Sequence, residues 1–455
     1  MDSIGRRESS AHRIVAQAMA AGGFSAGTWR AARRCLLDYL SCVFEARDLP
    51  WSEQAATLAT SVAEAGAHIA GRAGMYAPAD AAFANAVAGH GLVREDMHAA
   101  SVAHLGVVVW PTVLALAERH PVSGEQVLAA AIVGYETGAR IGRALMNSEL
   151  ARLFRPTGLV GPFAAVMAGA RLIGLDAQRA LNAFALAGNC CAGLNEWGHT
   201  GGSEMYFHPG FVVRNAMTCL ALAARGAEGS ASILEGEAGI FKAYARAPLV
   251  APIDLFADGR AEIDAVFNKP APACNFAQTP CQAALQAVRR VAGGSRRIAA
   301  VRIETTRAAV AYPGCDAKGP FRRALQAKMS IPFGVAATLA NGVIAESNYA
   351  RLDDAEVARL MAATTLVEDA EYTAAFPARQ GARVVLTLDD GATVSGELDD
   401  VVAADEATIR ERFRQAARAV LDAGRARRIE ETVDGYERAA DAGELARLCA
   451  RPADT

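Results

Sequence analysis

The chain has 455 residues, more than one hydrophobic core ordinarily organises, so two domains are the expectation. A hydrophobic share of 52% with 21% charged residues excludes a disordered chain and describes a folded globular one. A net charge of −3 supplies no general attraction to nucleic acid or to an anionic membrane, so any anion recognition must come from a few placed cations.

Taken in order, the N-terminal MDSIGRRESSAHRIV carries charge but no apolar h-region, which argues against a secretory leader. Thr28 to Glu45 places Trp29, Ala32, Cys35, Leu36, Tyr39, Leu40 and Val43 on one stripe, the pattern of a packed helix. Ala77 to Leu92 predicts a second helix with His90 near its end. Gly91 to His120 then changes character midway. Its first half crowds Arg94, Glu95, Asp96, His98 and His104, and its second half, Val107 to Ala117, is an apolar run that must be buried. The longest apolar candidate, Leu105 to Ala117, falls short of the roughly 18 residues of a membrane span and contains Pro111. Ser123 and Gln126 spell a capping box at the head of another helix. Leu159 to Ile173, Ala177 to Ala187 and Gly210 to Ala224 predict interior helices, separated by a glycine-rich loop from Gly188 to Pro209.

Near Ile263 the pattern shifts. Arg297 to Thr305 alternates as a strand, and Arg383 to Leu388 with Thr393 to Leu398 predicts a hairpin closed by a two-residue Asp390-Gly391 turn. Helical segments at Pro280 to Val291, Phe333 to Ala340 and Asp354 to Thr364 lie between them, and the charged tail returns to helix at Ala407 to Ala423 and Tyr436 to Leu448. The expected fold is mainly α: a large all-helical domain from residues 1–265 with 404–455, and a smaller α+β domain at 266–403. The nine scattered cysteines, without a CxxC, predict reduced thiols in a cytoplasmic protein.

Three side chains of the central stretch are the catalytic candidates. A histidine, with an ordinary pKa of about 6.5, beside a carboxylate can move protons near neutrality, which singles out His104 with Asp96 and His98. The competing readings are a core histidine at a helix start and a metal site. The D-x-H-x5-H spacing matches no zincin motif, HExxH is absent, and no metal is expected. Arg155, ahead of a helix, can hold a carboxylate in two-point fashion, and His208-Pro209-Gly210 stands at another helix start. Lys269 opens KPAPACNF at the domain junction, a usual place for a ligand cleft, and Lys328 is a weaker candidate. No GxSxG, Walker A or GxGxxG element is present, and Cys190-Cys191 has no base that sequence can point to.

The segments EDMHAASVAHLGVVVWPTVLALAE, FRPTGLVGPFAAVMAGARLIGLD, FHPGFVVRNA, ILEGEAGIF, KPAPACNF and AKMSIPFGVA resemble, in the same order, those of the MmgE/PrpD family. That family includes 2-methylcitrate dehydratase, cis-aconitate decarboxylase and iminodisuccinate epimerase. The resemblance implies a helical domain with an α+β lid, a homodimer, and cofactor-free chemistry on a small di- or tricarboxylate in the cleft between domains. It further implies proton abstraction next to a carboxylate, with dehydration the first expectation and epimerisation or decarboxylation its alternatives. Asp96 and His104 match the family's acidic residue and histidine, and Lys269 matches directly. His98 stands where the decarboxylase branch has a threonine, and Arg94 where it has an aspartate. Arg155 replaces a family histidine, Met205 a lysine and Phe333 a tyrosine. The resemblance therefore implies a cationic pocket built from Arg94, Arg155, His208 and Lys269 and a changed substrate. A drifted, non-catalytic binding protein is the reading of another class.

Overall fold

The computed structural model describes residues 9–452, so the first eight residues of the N-terminal stretch lie outside the described part. The chain is mainly helical. Helix Ala26–Ala46 begins where the Ser25 side chain accepts the Thr28 amide, and it buries the stripe read from its sequence. The apolar run becomes helix Gly106–Ala117, with every residue buried. Helix Gly124–Leu145 opens with the Ser123/Gln126 capping box, and helix Pro156–Leu172 with Pro156 in its first turn, where a missing N–H costs no bond. These three pack on one another, and helices Gly106–Ala117 and Pro156–Leu172 also pack on helix Glu204–Ala224. Their all-round apolar surface is why they lie inside.

One apolar core gathers residues from Ala11 to Val266 and resumes from Ala404 to Cys449. A second gathers Ala271 to Leu388 and takes in Val93, Trp197, Met205 and Tyr206 from the first part of the chain. The second core lies against a four-stranded sheet in the order Thr364–Glu368, Ile298–Thr305, Ala382–Leu388, Thr393–Leu398. The first pair is parallel and the other two are antiparallel. Helix Gln278–Val288 packs on the last two strands.

Several elements differ from the sequence reading. The hairpin loop has three residues, Asp389 to Gly391, with Gly391 in the left-handed region at φ 84 and the Leu388 amide bonded to the Ala392 carbonyl. A type I turn plus a left-handed glycine matches strand twist as well as the expected two-residue turn does. The strand Thr364–Glu368 carries no assignment in the sequence beyond Thr364, which the helical period takes as a helix end because β-branched TTLV directly follows helix Ala355–Ala362 without a breaker. Helix Ala423–Asp434, polar on most of its surface, was missed.

The tail helix Glu406–Arg418 packs on helix Ala26–Ala46. From it, Arg412 donates to the backbone carbonyls of Lys269 and Pro270, at 3.0 and 2.7 Å, and so ties down the junction segment. Among the described residues no helix is long and apolar enough to cross a membrane.

Candidate active site

The central stretch leaves helix Pro78–His90 and runs along the seam between the two cores. Met97–His98 pairs antiparallel with Val266–Phe267, which delivers Lys269, two residues further on, beside Glu95. Val93 and Val102 bracket the stretch with φ of 59 and 52. A β-branched residue in the left-handed region costs roughly 1–3 kcal/mol and persists only where the surroundings over-determine it. At Val93 that surrounding is visible: its carbonyl accepts from the Lys269 ammonium at 2.8 Å.

Glu95 is the hub. Its Oε1 lies 2.8 Å from His90 Nδ1, 3.2 Å from His104 Nδ1 and 3.7 Å from Lys269 Nζ. Donor alignment at both Glu95 oxygens is poor, so this buried carboxylate is held chiefly by the Lys269 charge, with His90 Nδ1 at 2.8 Å beside it. Burial alone would raise its pKa, but Lys269 first, then His90 and His104, hold it well below the ordinary value. Arg155 Nη2 lies 3.2 Å from His90 Nε2. A guanidinium can only donate, so His90 Nε2 accepts and its Nδ1 carries the proton that faces Glu95. By the same reasoning His104 Nδ1, 2.8 Å from the Asp96 carbonyl, donates to it, and the His104 Nε2 keeps its lone pair. Burial, then Lys269, pushes the His104 pKa well below its ordinary value, and the ring is neutral at pH 7. Burial likewise lowers Lys269, against the opposing pull of Glu95.

Arg155 precedes helix Pro156–Leu172 and donates its amide to the Gly193 carbonyl at 3.0 Å. Glycine is required on both sides of that contact. A Cβ on Gly158 would lie 1.9 Å from the Ala192 carbonyl, and Gly193 adopts φ +118 against the Arg155 and His208 side chains. The guanidinium also lies 5.8 Å from the Trp197 ring centroid.

His104, Arg155 and Lys269 line one cavity together with Asn275, Tyr312 and Met205. Its volume of about 20 Å³ is room for roughly one water. The buried Asn275 Oδ1 and Arg155 Nε have no protein partner and are free to meet a ligand. The arrangement offers a neutral ring nitrogen as base, an ammonium as acid, and two cations for an anionic group.

The other residues singled out from sequence go elsewhere. Arg94 turns away from the cavity to Glu45, at 2.6 Å, and Ser41, at 3.3 Å. His98 is held at 2.8 Å on each ring nitrogen, by Ser101 and by Glu262. The Asp96 carboxyl accepts from Tyr135 and from the Gly106 amide instead of meeting the His104 ring. The three groups of the D-x-H-x5-H spelling thus diverge, and among the described residues no cluster of His, Cys, Asp and Glu has the arrangement of a metal site. His208 lies within helix Glu204–Ala224 rather than at its start, because Pro209 is accommodated inside the helix. It is near Arg155 but outside the cavity wall, and burial, then Arg155, lowers its pKa to about 3. Lys328 binds the Leu92 carbonyl and Glu346, at 2.8 and 2.7 Å, and Phe333 stacks on Tyr349.

His90, Asn275 and Tyr312 were not singled out from sequence, and Glu95 was named without a role. Val93 and Met97 line the cavity, Glu95 meets His104 and Lys269 beside it, and Asp96 and His98 turn toward Tyr135 and Glu262. Asn275 and Tyr312 carry no local signal, since only the second core brings them to the seam.

Fold and cluster together define a mainly helical protein with a buried, cation-rich acid–base cavity between two cores. Residues 15–251 match the MmgE/PrpD N-terminal domain, and residues 271–438 match the MmgE/PrpD C-terminal domain. The chain belongs to the MmgE/PrpD family. It is 28% identical over 450 residues to a cis-aconitate decarboxylase-like protein of Aspergillus oryzae, covering 92% of both chains. It is 26% identical over 445 residues to cis-aconitate decarboxylase of Aspergillus terreus, covering 92% of this chain and 90% of that one. The human cis-aconitate decarboxylase is 29% identical over 182 residues, 38% of this chain and 37% of its own.

Proposed function

We propose that this chain is a lyase acting on a small di- or tricarboxylate by removing a proton next to a carboxylate, with no cofactor in the step. His104 Nε2 takes the proton, Arg155 and Lys269 hold the carboxylate and the enolate-like charge, and Glu95 with His90 keeps the cations in place. The observation that carries this reading is the His104 tautomer: a ring bonded through Nδ1–H to the Asp96 carbonyl and kept neutral beside two cations. Dehydration is the favoured outcome. The C–H pair forms the new double bond, the C–O bond breaks, and the leaving hydroxide departs as water with a proton from the buried Lys269 ammonium.

Decarboxylation is the second reading, favoured by the names of the Aspergillus and human relatives. In that case carbon dioxide leaves and the carbanion is protonated at carbon. A homodimer and the α+β unit acting as a lid over the cavity belong to the same proposal.

The test is solvent deuterium exchange at the carbon next to the carboxylate across a panel of di- and tricarboxylates. His104→Gln is expected to lower exchange by on the order of 10²–10⁴ with folding retained. Exchange at the parent rate in that variant would sink the role given to His104. Binding without exchange across the panel would favour a non-catalytic binding protein. Water or carbon dioxide as co-product separates the two lyase outcomes.

A further inference from the structure

The 20 Å³ catalytic cavity has a larger neighbour behind part of its wall. Three of its lining residues, Val102, Phe276 and Tyr312, also line an outer cleft of about 460 Å³. The two spaces therefore lie on either side of the same three side chains. The outer cleft is of the size that holds small ligands, whereas the inner one is not.

Its chemistry is the opposite of the inner cavity's. The floor is alkyl and aromatic, including Ala100, Met146, Ala151, Ala308 and Phe376. The polar groups either stand exposed, as Glu149 and Arg152 do, or are already used: the Asn147 side chain accepts the Leu150 amide at 2.8 Å. A second or third carboxylate placed on that floor would lose its hydration and meet no buried cation in return. An alkyl chain placed there would leave water for apolar walls at no such cost. Tyr312 marks the change, with its hydroxyl against Arg155 and its ring on Phe276 at 5.3 Å between centroids.

We propose that the substrate is amphiphilic: an anionic head at His104, Arg155 and Lys269, and an unbranched alkyl tail that parts the shared Val102–Phe276–Tyr312 wall to reach the outer cleft. The tail selects the substrate and the head is where the chemistry occurs. This deepens the function proposed above and rests on it for the placing of the head.

Two measurements separate the tail from the chemistry. The first is calorimetric binding of straight-chain monocarboxylates of about four to ten carbons to the full chain. Affinity is expected to rise about fourfold per added methylene, the value of one buried CH₂. Ala311→Trp and Ala308→Phe, which fill the same cleft from one wall, are expected to flatten that dependence, and thermal melting confirms that each variant is folded. The second is deuterium exchange with dicarboxylates bearing hydrogen, methyl, butyl or octyl on the carbon beside the reacting one. Rising kcat/KM along that series supports the tail. Affinity and kcat/KM both independent of chain length would overturn the tail while leaving proton abstraction standing. Chain-length-dependent binding with no exchange in any member would overturn proton abstraction and keep the tail. A chain-length dependence that persists in both filling variants would overturn the assignment to this cleft.

Discussion

Asp96 holds His104 through its backbone carbonyl, 2.8 Å from Nδ1, while its carboxyl faces Tyr135 on the other side of the chain. With Nδ1–H on a carbonyl, His104 presents a lone pair at Nε2, and although the Glu95 carboxylate 3.2 Å away favours a proton on the ring, burial and Lys269 outweigh it. The relationship separates the proposed base from the Asp96 side chain, and the first prediction follows from it.

Asp96→Asn is expected to keep proton exchange within a few-fold of the parent, because the carbonyl remains, and to change the pH dependence of stability. Burial first raises the Asp96 pKa to about 7, against two hydrogen bonds that favour the charged form. A carboxyl whose folded pKa lies above its unfolded value binds its proton more tightly in the native state. Its contribution is therefore fully present below about pH 4 and is lost as pH rises to about 7. Three units correspond to roughly 4 kcal/mol as an upper figure. Denaturant unfolding between pH 4 and 7 should show the parent losing stability relative to Asp96→Asn across that window; parallel curves would remove the argument.

The pH profile of exchange should carry its acid limb below pH 6.5, because burial and Lys269 hold His104 neutral well into acid. Its alkaline limb should fall below the ordinary lysine range, since burial lowers Lys269 and the mechanism needs it charged. An acid limb at or above 6.5 in kcat/KM would show that the base is a different group.

Glu95→Gln leaves the fully buried Lys269 without its counter-charge. Removing one partner of a buried pair costs about 3–5 kcal/mol, so a large loss in thermal or denaturant stability is expected. Adding Lys269→Met should recover most of that stability and none of the activity. A double variant as unstable as the sum of its parts would mean that the two residues are not coupled.

Arg155→Lys should raise KM by roughly 10- to 100-fold, as expected for loss of a charge-assisted two-point contact, with a smaller effect on kcat. Arg94→Met should do the reverse of what its place in the stretch suggests. It should leave KM and substrate preference alone and lower stability, because the guanidinium serves Glu45 and Ser41. A changed substrate preference in Arg94→Met would overturn that placement.

Much of this protein was readable from its residues taken singly or in periods. Stripes such as Cys35, Leu36, Tyr39 and Leu40, the apolar run to Ala117, the Ser123/Gln126 box and the alternation of Val301 and Ile303 specify helices and strands through contacts only a few residues apart. His104, Arg155 and Lys269 were legible as charged residues placed beside buried elements. Tertiary structure decided that Glu95 and not the Asp96 carboxyl meets the His104 ring, because Tyr135 and the Gly106 amide take that carboxyl. It also decided that His90, Asn275 and Tyr312 meet there, and that Arg94 and His98 serve other partners. Those contacts span from 49 residues to more than two hundred, and pairing of Met97–His98 with Val266–Phe267 brings Lys269 to the same place. Local pattern encodes the elements, but the cavity exists only where two separately built cores meet.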